Sequence, residues 1–103
     1  MLDASREAIA IARGKTRQDL DEDRILELAL TRLVEIVGEA AARVPREQQA
    51  RYPDIPWPDI VGMRNRLVHG YMEIDRDALW STVAEDLPVL VPLLEEALSS
   101  DRG

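Results

Sequence analysis

The residue types best suited to phosphate binding and proton transfer lie close together, between Arg64 and His69. An arginine binds phosphate well because its planar, permanently charged guanidinium donates two hydrogen bonds at once. His69 is the single histidine of the chain, and an imidazole with an unperturbed pKa of about 6.5 both accepts and releases a proton near neutral pH. With their polar neighbours Asn65 and Arg66, these side chains are candidates for a site that acts on an anionic substrate.

An ideal helix through this segment does not bring Arg64 and His69 together. Counted from Ile60, Arg64 falls in the middle of the apolar face, where an unpaired charge is costly, while His69 lies about 140° away on the polar face. Two arrangements would join them at one substrate. Either the helix distorts near His69-Gly70, which a glycine makes easy, or two chains assemble the site across a twofold axis.

Each of these residues also has an interpretation that involves no chemistry. A lone histidine in a helical protein is more often a surface residue or one whose hydrogen bonds are satisfied internally, and Arg66 fits a solvated side chain. A structural Arg64 would be salt-bridged to an acid. Trp57 and Trp80 fit packing in a core or interface better than base stacking. The residues alone leave these alternatives open.

Composition removes several classes of site. The chain has no cysteine and one histidine, which excludes disulfides, thiolate zinc sites, cysteine nucleophiles and an imidazole-rich metal centre. The net charge of −7 argues against holding nucleic acid by bulk charge. The charge is uneven, because the stretch from Arg43 to Tyr71 has five arginines and three acids, a net charge of +2, against −9 elsewhere. An anionic partner should therefore meet this stretch.

Length and hydropathy indicate a single cytoplasmic domain. A chain of 103 residues is near the common size of one domain, which we assign to residues 1–103. No apolar run approaches the roughly 18 residues of a membrane span, and the first residues lack the pattern of a signal peptide. We expect a cytoplasmic protein with no membrane partner.

Apolar spacing and capping residues predict an all-α protein. The longest helix is predicted from Arg24 to Arg43, where apolar residues recur every three or four positions, and Pro45 should end it. Shorter helices are predicted before it, from Leu2 to Arg13 and from Thr16 to Leu20. A single helical turn is predicted after it, at Arg46 to Arg51.

The second half of the chain predicts two further helices. One begins at Pro58 and runs to about His69 or Tyr71. The other begins after an N-cap at Asp75, and its two prolines should kink it near residues 84–87 or split it in two. Residues 99–103 are expected to fray.

These elements predict an antiparallel, up-and-down bundle of four main helices, the last one kinked or split. The apolar stripe on the helix from Arg24 to Arg43 is wider than a core of this size can cover. We therefore expect a homodimer that covers the rest of the stripe.

The run Arg64-Asn65-Arg66-Leu67-Val68-His69-Gly70-Tyr71 resembles the Arg-x4-His-x-Tyr signature of the HEPN superfamily, specifically the HepT-like toxins encoded beside MntA-type minimal nucleotidyltransferase antitoxins. The similarity covers about residues 24–96 and includes Ile36-Val37-Gly38-Glu39-Ala40-Ala41 and Tyr52-Pro53-Asp54-Ile55-Pro56-Trp57 in the same order and spacing. The arginine-to-histidine spacing alone is weak evidence, but the whole set in register is specific.

This resemblance implies a helical bundle that dimerises, with the arginine and histidine of both chains in a shared cleft, and a metal-independent endoribonuclease activity without a cofactor. Arg64 would hold the scissile phosphate of the RNA. His69 would act as general base or acid while the ribose 2′-hydroxyl attacks, which leaves a 2′,3′-cyclic phosphate. Asn65 would orient the site, and Arg66 is a candidate RNA contact.

The resemblance also implies a mode of control. Tyr71 matches the tyrosine that the partner nucleotidyltransferase modifies with AMP, as in a type VII toxin–antitoxin pair. An adenylyl group on Tyr71 would add bulk and negative charge that compete with RNA for Arg64. A second hypothesis is a non-catalytic HEPN module that serves as a binding partner or scaffold for a nucleotidyltransferase, which the acidic composition favours.

Overall fold

A computed structural model describes residues 1–69 and 73–102 of the chain. Their backbone confirms the all-α class, with one short hairpin as the exception. In chain order the elements are α1 (Leu2–Ala12), α2 (Arg17–Glu22), α3 (Arg24–Arg43), α4 (Arg46–Ala50), α5 (Trp57–Val61), α6 (Met63–Leu67), β1 (Val68–His69), β2 (Glu73–Ile74), α7 (Arg76–Ser81), a π-helical turn (Thr82–Asp86) and α8 (Leu87–Arg102).

The central helix α3 begins and ends at the predicted residues. Asp23 caps its N-terminus, because the Asp23 carboxylate accepts a hydrogen bond from the Leu26 N–H at 3.1 Å. Val44 leaves helical geometry directly before Pro45, as a residue before proline should. The α3 side chains buried in the core share one face: Leu26, Leu30, Leu33, Val34, Val37 and Ala41.

Helices α1 and α2 follow the local signals of the sequence. α1 ends at Ala12, and Gly14 takes the left-handed conformation (φ +79°) that only glycine adopts without strain. α2 opens with a reciprocal capping box in which Thr16 and Asp19 each satisfy the backbone N–H of the other. It runs to Glu22, two residues beyond the predicted end.

Helices α1, α5 and α6 pack on α3, and α1 also contacts α8. The backbones of α3 and α5 approach closely, since a Cβ built on Gly38 would lie 3.2 Å from the Ile60 carbonyl oxygen. Further along, Arg76 at the start of α7 reaches Glu27 near the start of α3. The segment from Ile60 to Arg76 therefore runs antiparallel to α3, as an up-and-down bundle requires.

The predicted helix from Pro58 to His69 or Tyr71 is wrong at its C-terminal end. It is interrupted at Gly62 and stops at Leu67, because Val68 is extended (φ −92°, ψ 122°). Val68 and His69 instead form β1, which pairs antiparallel with β2. A β-branched valine suits this extended geometry. Apolar periodicity alone did not reveal the pairing.

The last helix is interrupted where the prolines predicted. Asp75 is its N-cap, accepting from the Ala78 N–H at 3.0 Å. In the π-helical turn the Leu87 N–H donates to the Thr82 carbonyl, five residues back. Pro88 has no N–H for the usual four-residue bond, and the wider turn accommodates this. α8 includes the described part of the predicted tail and extends to Arg102, and Gly103 lies outside the described residues.

The apolar stripe of α3 is mostly covered within the chain, but its N-terminal part is not. Ile25 is 79% exposed and Leu28 is 53% exposed, whereas Leu26 and Leu30 are buried. Within the described residues, no helix is both long and apolar enough to span a membrane.

Candidate functional site

Arg64 is the second residue of α6 and is exposed to solvent. The sequence predicts an arginine in the middle of a buried stripe, and that prediction is wrong. Met63 and Leu67 occupy the buried face of α6, whereas Val61 and Val68 are exposed, so the buried face is narrower than the apolar stripe of the sequence and excludes Arg64. Among the residues that the structure describes, none forms an ion pair or hydrogen bond with Arg64. This contradicts the alternative interpretation of Arg64 as a structural residue that is salt-bridged to an acid.

The two residues that follow Arg64 are also exposed. Asn65 lies beside Arg64 on the surface of α6. The Arg66 guanidinium donates to the carbonyl oxygen of Asp59 at 3.1 Å, which ties it back to α5. A carbonyl oxygen is neutral, so this contact fixes the position of Arg66 and does not neutralise its charge.

His69 follows the end of α6 by two residues and lies in β1, where its backbone is paired opposite Glu73. The structure describes the backbone of His69 and not its side chain, and Tyr71 lies outside the described residues. The chain leaves helical geometry between Arg64 and His69, one residue earlier than the distortion expected at His69-Gly70. The angle of about 140° between the two on an ideal helix therefore does not apply.

The two tryptophans behave as packing residues, as predicted. Trp57 and Trp80 both pack against the core while remaining partly exposed. The Trp57 indole N–H donates to the carbonyl oxygens of Gln49 and Tyr52, at 3.1 and 3.2 Å. The tryptophan thus closes the connection between α4 and α5.

Several arginines outside the segment from Arg43 to Arg66 have carboxylate partners. The pairs closer than 3.5 Å are Arg6–Glu95 (2.7 Å), Arg17–Asp77 (2.8 Å), Arg17–Asp21 (3.0 Å), Arg24–Glu27 (3.1 Å), Arg76–Glu27 (3.2 Å) and Arg32–Glu35 (3.4 Å). Within the described part of the chain, Arg43, Arg46, Arg64 and Arg66 have no such partner. The charges of these four arginines are therefore available to an external anion.

The surface beside Arg66 is less favourable to an anion than that beside Arg64. A groove of about 200 Å³ runs along α5, α6 and α8, with Ile60, Met63 and Leu90 among its apolar lining residues. Its rim carries the carboxylates of Asp59, Glu85 and Asp86 in addition to Arg66. These acids would repel a phosphate backbone.

Glu27 has a buried carboxylate that was not predicted from the sequence. The side chain of Glu27 on α3 is only 3% exposed and lies between the guanidinium groups of Arg24 and Arg76. The available signal was its position three residues before Leu30 and seven before Val34, on the buried face of the helix. A charged residue on such a face is seldom buried without a partner.

A family model described as Ribonuclease HepT-like matches residues 1–97. The chain belongs to the ribonuclease HepT-like family. A probable ribonuclease HepT of Thermococcus cleftensis is 38% identical over 88 residues, which are 82% of this chain and 80% of that protein. A candidate RNase of Caldanaerobacter subterraneus is 31% identical over 90 residues, 87% of this chain and 80% of that protein. No solved structure gave a significant match.

Proposed function

We propose that this HepT-like chain is a metal-independent endoribonuclease toxin of a type VII toxin–antitoxin pair, acting in the cytoplasm as a single domain of residues 1–103. The observation that carries the proposal is Arg64. In a member of a ribonuclease family, it is exposed, has no carboxylate partner within the described residues, and precedes the only histidine by five positions. An arginine in that state is available for a phosphate.

The proposed reaction is a transesterification within the RNA. Arg64 holds the scissile phosphate and stabilises the negative charge that develops on it. The ribose 2′-hydroxyl loses its proton and attacks the phosphorus, the bond to the 5′-oxygen breaks, and that oxygen receives a proton. His69 serves as general base or acid in these transfers. The products carry a 2′,3′-cyclic phosphate and a 5′-hydroxyl, and Asn65 orients the site.

The proposed site lies in the cleft of a homodimer, to which both chains contribute Arg64 and His69. The exposed residues Ile25 and Leu28 near the start of α3 support an association between chains, because two neighbouring large apolar side chains are costly to leave in water. Covering them in a dimer also provides the second route by which Arg64 and His69 can meet at one substrate.

The proposed control is adenylylation of Tyr71 by an MntA-type minimal nucleotidyltransferase antitoxin. The tyrosine oxygen bonds to the α-phosphate of ATP, pyrophosphate leaves, and the phenolic proton passes to solvent. The attached AMP carries a negative charge, which competes with the RNA phosphate for Arg64.

Expression of the isolated chain tests the proposal. Wild type should arrest growth and degrade RNA, and the His69→Ala variant should do neither. If the two behave alike, the catalytic proposal is wrong. Co-expression with the adjacent nucleotidyltransferase should add the mass of one AMP at Tyr71 and restore growth.

A second candidate function is a non-catalytic binding module or scaffold for a nucleotidyltransferase. The net charge of −7 favours it, because most of the surface is unsuited to RNA. In that case the purified chain would bind the nucleotidyltransferase and accept AMP on Tyr71 without cleaving RNA.

A further inference from the structure

The buried carboxylate of Glu27 has no part in the proposed reaction, but it lies at the base of the hairpin that carries His69. We propose that Glu27 and Arg76 are positioning residues, whose ion pair fixes the β1–β2 hairpin and so the placement of His69 over the substrate. This inference rests on the proposed function, in which His69 transfers protons.

The contacts form a short path from Glu27 to the hairpin. The Arg76 Nε donates to the Glu27 carboxylate at 3.2 Å, and Arg76 is the first residue of α7. The preceding residue, Asp75, donates its backbone N–H to the Leu67 carbonyl oxygen at 2.7 Å. That bond joins the two ends of the hairpin, next to the pair Val68–Ile74. Fixing the position of Arg76 therefore also fixes β2, the strand that pairs with Val68 and His69.

A second layer of charges holds the same end of α7 to α2. Arg76 also lies 3.5 Å from an Asp21 carboxylate oxygen, and Arg17 bridges Asp21 and Asp77 at 3.0 and 2.8 Å. Hydrogen bonds to the carboxylates of Asp21, which has the larger effect, and Asp77 raise the pKa of Arg17. These side chains are partly or fully exposed, whereas that of Glu27 is buried. The anchor that resists competition from water is the one between Glu27 and Arg76.

The hairpin depends on such an anchor because it is too small to stabilise itself. Each strand has two residues, and an isolated two-stranded hairpin is at best marginally stable in water. Val68 is exposed, so β1 gains little from packing, and Ile74 of β2 is only partly buried against the core. A buried carboxylate is the opposite case, since it must keep its cationic partners to remain buried. Because moving Arg76 away would leave the Glu27 carboxylate buried with fewer partners, the ion pair also opposes movement of the adjoining end of the hairpin.

The two arginines that pair with Glu27 provide a matched test. Arg24 and Arg76 contact its carboxylate at nearly equal distances, 3.1 and 3.2 Å. Arg24 belongs to α3 itself, as Glu27 does, whereas Arg76 belongs to α7 and continues into the hairpin. Arg24→Ala and Arg76→Ala each leave Glu27 with one guanidinium, but only the second releases the hairpin.

Amide hydrogen exchange by NMR on the full chain measures the release directly. In Arg76→Ala we expect exchange of the Asp75 amide, and of its neighbours in the hairpin, to accelerate about tenfold, while core amides of α3 keep their wild-type protection. Arg24→Ala should leave the Asp75 amide unchanged. Equal acceleration in the two variants, or none in either, would overturn the proposal whether or not the chain cleaves RNA.

RNA cleavage kinetics separate positioning from substrate binding. Arg76→Ala should lower kcat about tenfold with KM near the wild-type value, because Arg64 still binds the phosphate. Arg76→Lys, which keeps a cation beside Glu27, should recover most of the loss. Glu27→Gln should match Arg76→Ala, and Glu39→Gln, a substitution of a partly exposed acid on the same helix, is its control.

The failure of this proposal and the failure of the proposed function give different results. If His69→Ala is inactive and Arg76→Ala retains the wild-type kcat, the catalytic assignment stands and the positioning role is wrong. If His69→Ala retains wild-type activity, the proposed function is wrong, and the exchange of the Asp75 amide still decides whether Glu27 anchors the hairpin.

Discussion

Arg64 and Arg76 are the same residue type in opposite surroundings. Arg76 contacts the carboxylates of Glu27 and Asp21, whereas Arg64 projects from α6 into solvent with no acid against it in the described part of the chain. A guanidinium between carboxylates has its charge and its donors satisfied, so it holds elements together. One without partners retains both for a ligand. The surroundings, more than the residue type, separate the structural arginine from the functional one.

Among the arginines, the largest expected effect comes from removing Arg64, which has no carboxylate partner within the described residues. Arg64→Ala should lower kcat/KM for RNA about 10²- to 10³-fold, because the charge developing on the phosphate loses its donor. The thermal midpoint should stay at the wild-type value, since the exposed Arg64 side chain forms no ion pair or hydrogen bond with the described residues. Arg32→Ala, which removes an exposed arginine of α3 paired with Glu35, is the control and should retain activity. If Arg64→Ala lowers kcat/KM by less than a few-fold, the distinction between the functional Arg64 and the structural, paired arginines is wrong.

Separating the two chains should have the next largest effect. Leu28→Asp places a charge on the exposed apolar part of α3 and should yield monomers in sedimentation or light scattering. If the site needs both chains, RNA cleavage should fall about tenfold or more at low protein concentration and recover as concentration rises. Val89→Asp, at an exposed apolar residue of α8, is the control. A fully active monomer would show that one chain carries the whole site.

Little of this contrast between arginines was visible in the sequence. The limits of α3 were predictable because their causes are local, an N-cap at Asp23 and a proline at residue 45. The pair Glu27–Arg76 joins residues 49 positions apart. No pattern of spacing specifies such a pair, and it becomes visible only when α3 and α7 are packed together.

The candidate site was predictable in its residues and not in its geometry. The identities of Arg64 and His69 followed from residue chemistry and from the family signature. The sequence predicted one helix that carries both residues, and that helix is not observed. The turn at Gly62 and the pairing of Val68 with Ile74 outweigh the helical periodicity of the segment. Arg64 was expected on a buried face because Val61 and Val68 widen the apolar stripe of the sequence on its side, but both are exposed in the structure.

A smaller effect should follow from substitution of Arg66, whose surroundings are intermediate between those of Arg64 and Arg76. It is tied to the Asp59 carbonyl and lies on a groove rimmed with acids. Arg66→Ala should weaken RNA binding only a few-fold and should reduce the slope of log K against log salt by about 0.7, the value for one phosphate contact on a single strand. Filter-binding titrations at several salt concentrations measure both. A loss as large as that of Arg64→Ala would place the phosphate site at Arg66 instead.

The smallest effect should come from a surface arginine whose ion pair joins two other helices, α1 and α8. Arg6 and Glu95 form an ion pair with both side chains about half exposed. Arg6→Ala should change the free energy of unfolding by less than about 1 kcal/mol, as measured by urea denaturation, and should leave RNA cleavage unchanged. A clear loss of activity would mean that the paired arginines also take part in function.

The central claim is that Arg64 and His69 cleave RNA without a metal ion. The most direct measurement is cleavage of a defined RNA by the purified chain with excess chelator, followed by mass spectrometry of the new ends. We expect wild type to produce 2′,3′-cyclic phosphate and 5′-hydroxyl ends at an undiminished rate, and His69→Ala to produce none. Loss of cleavage on chelation, different ends, or equal activity in His69→Ala would contradict the account.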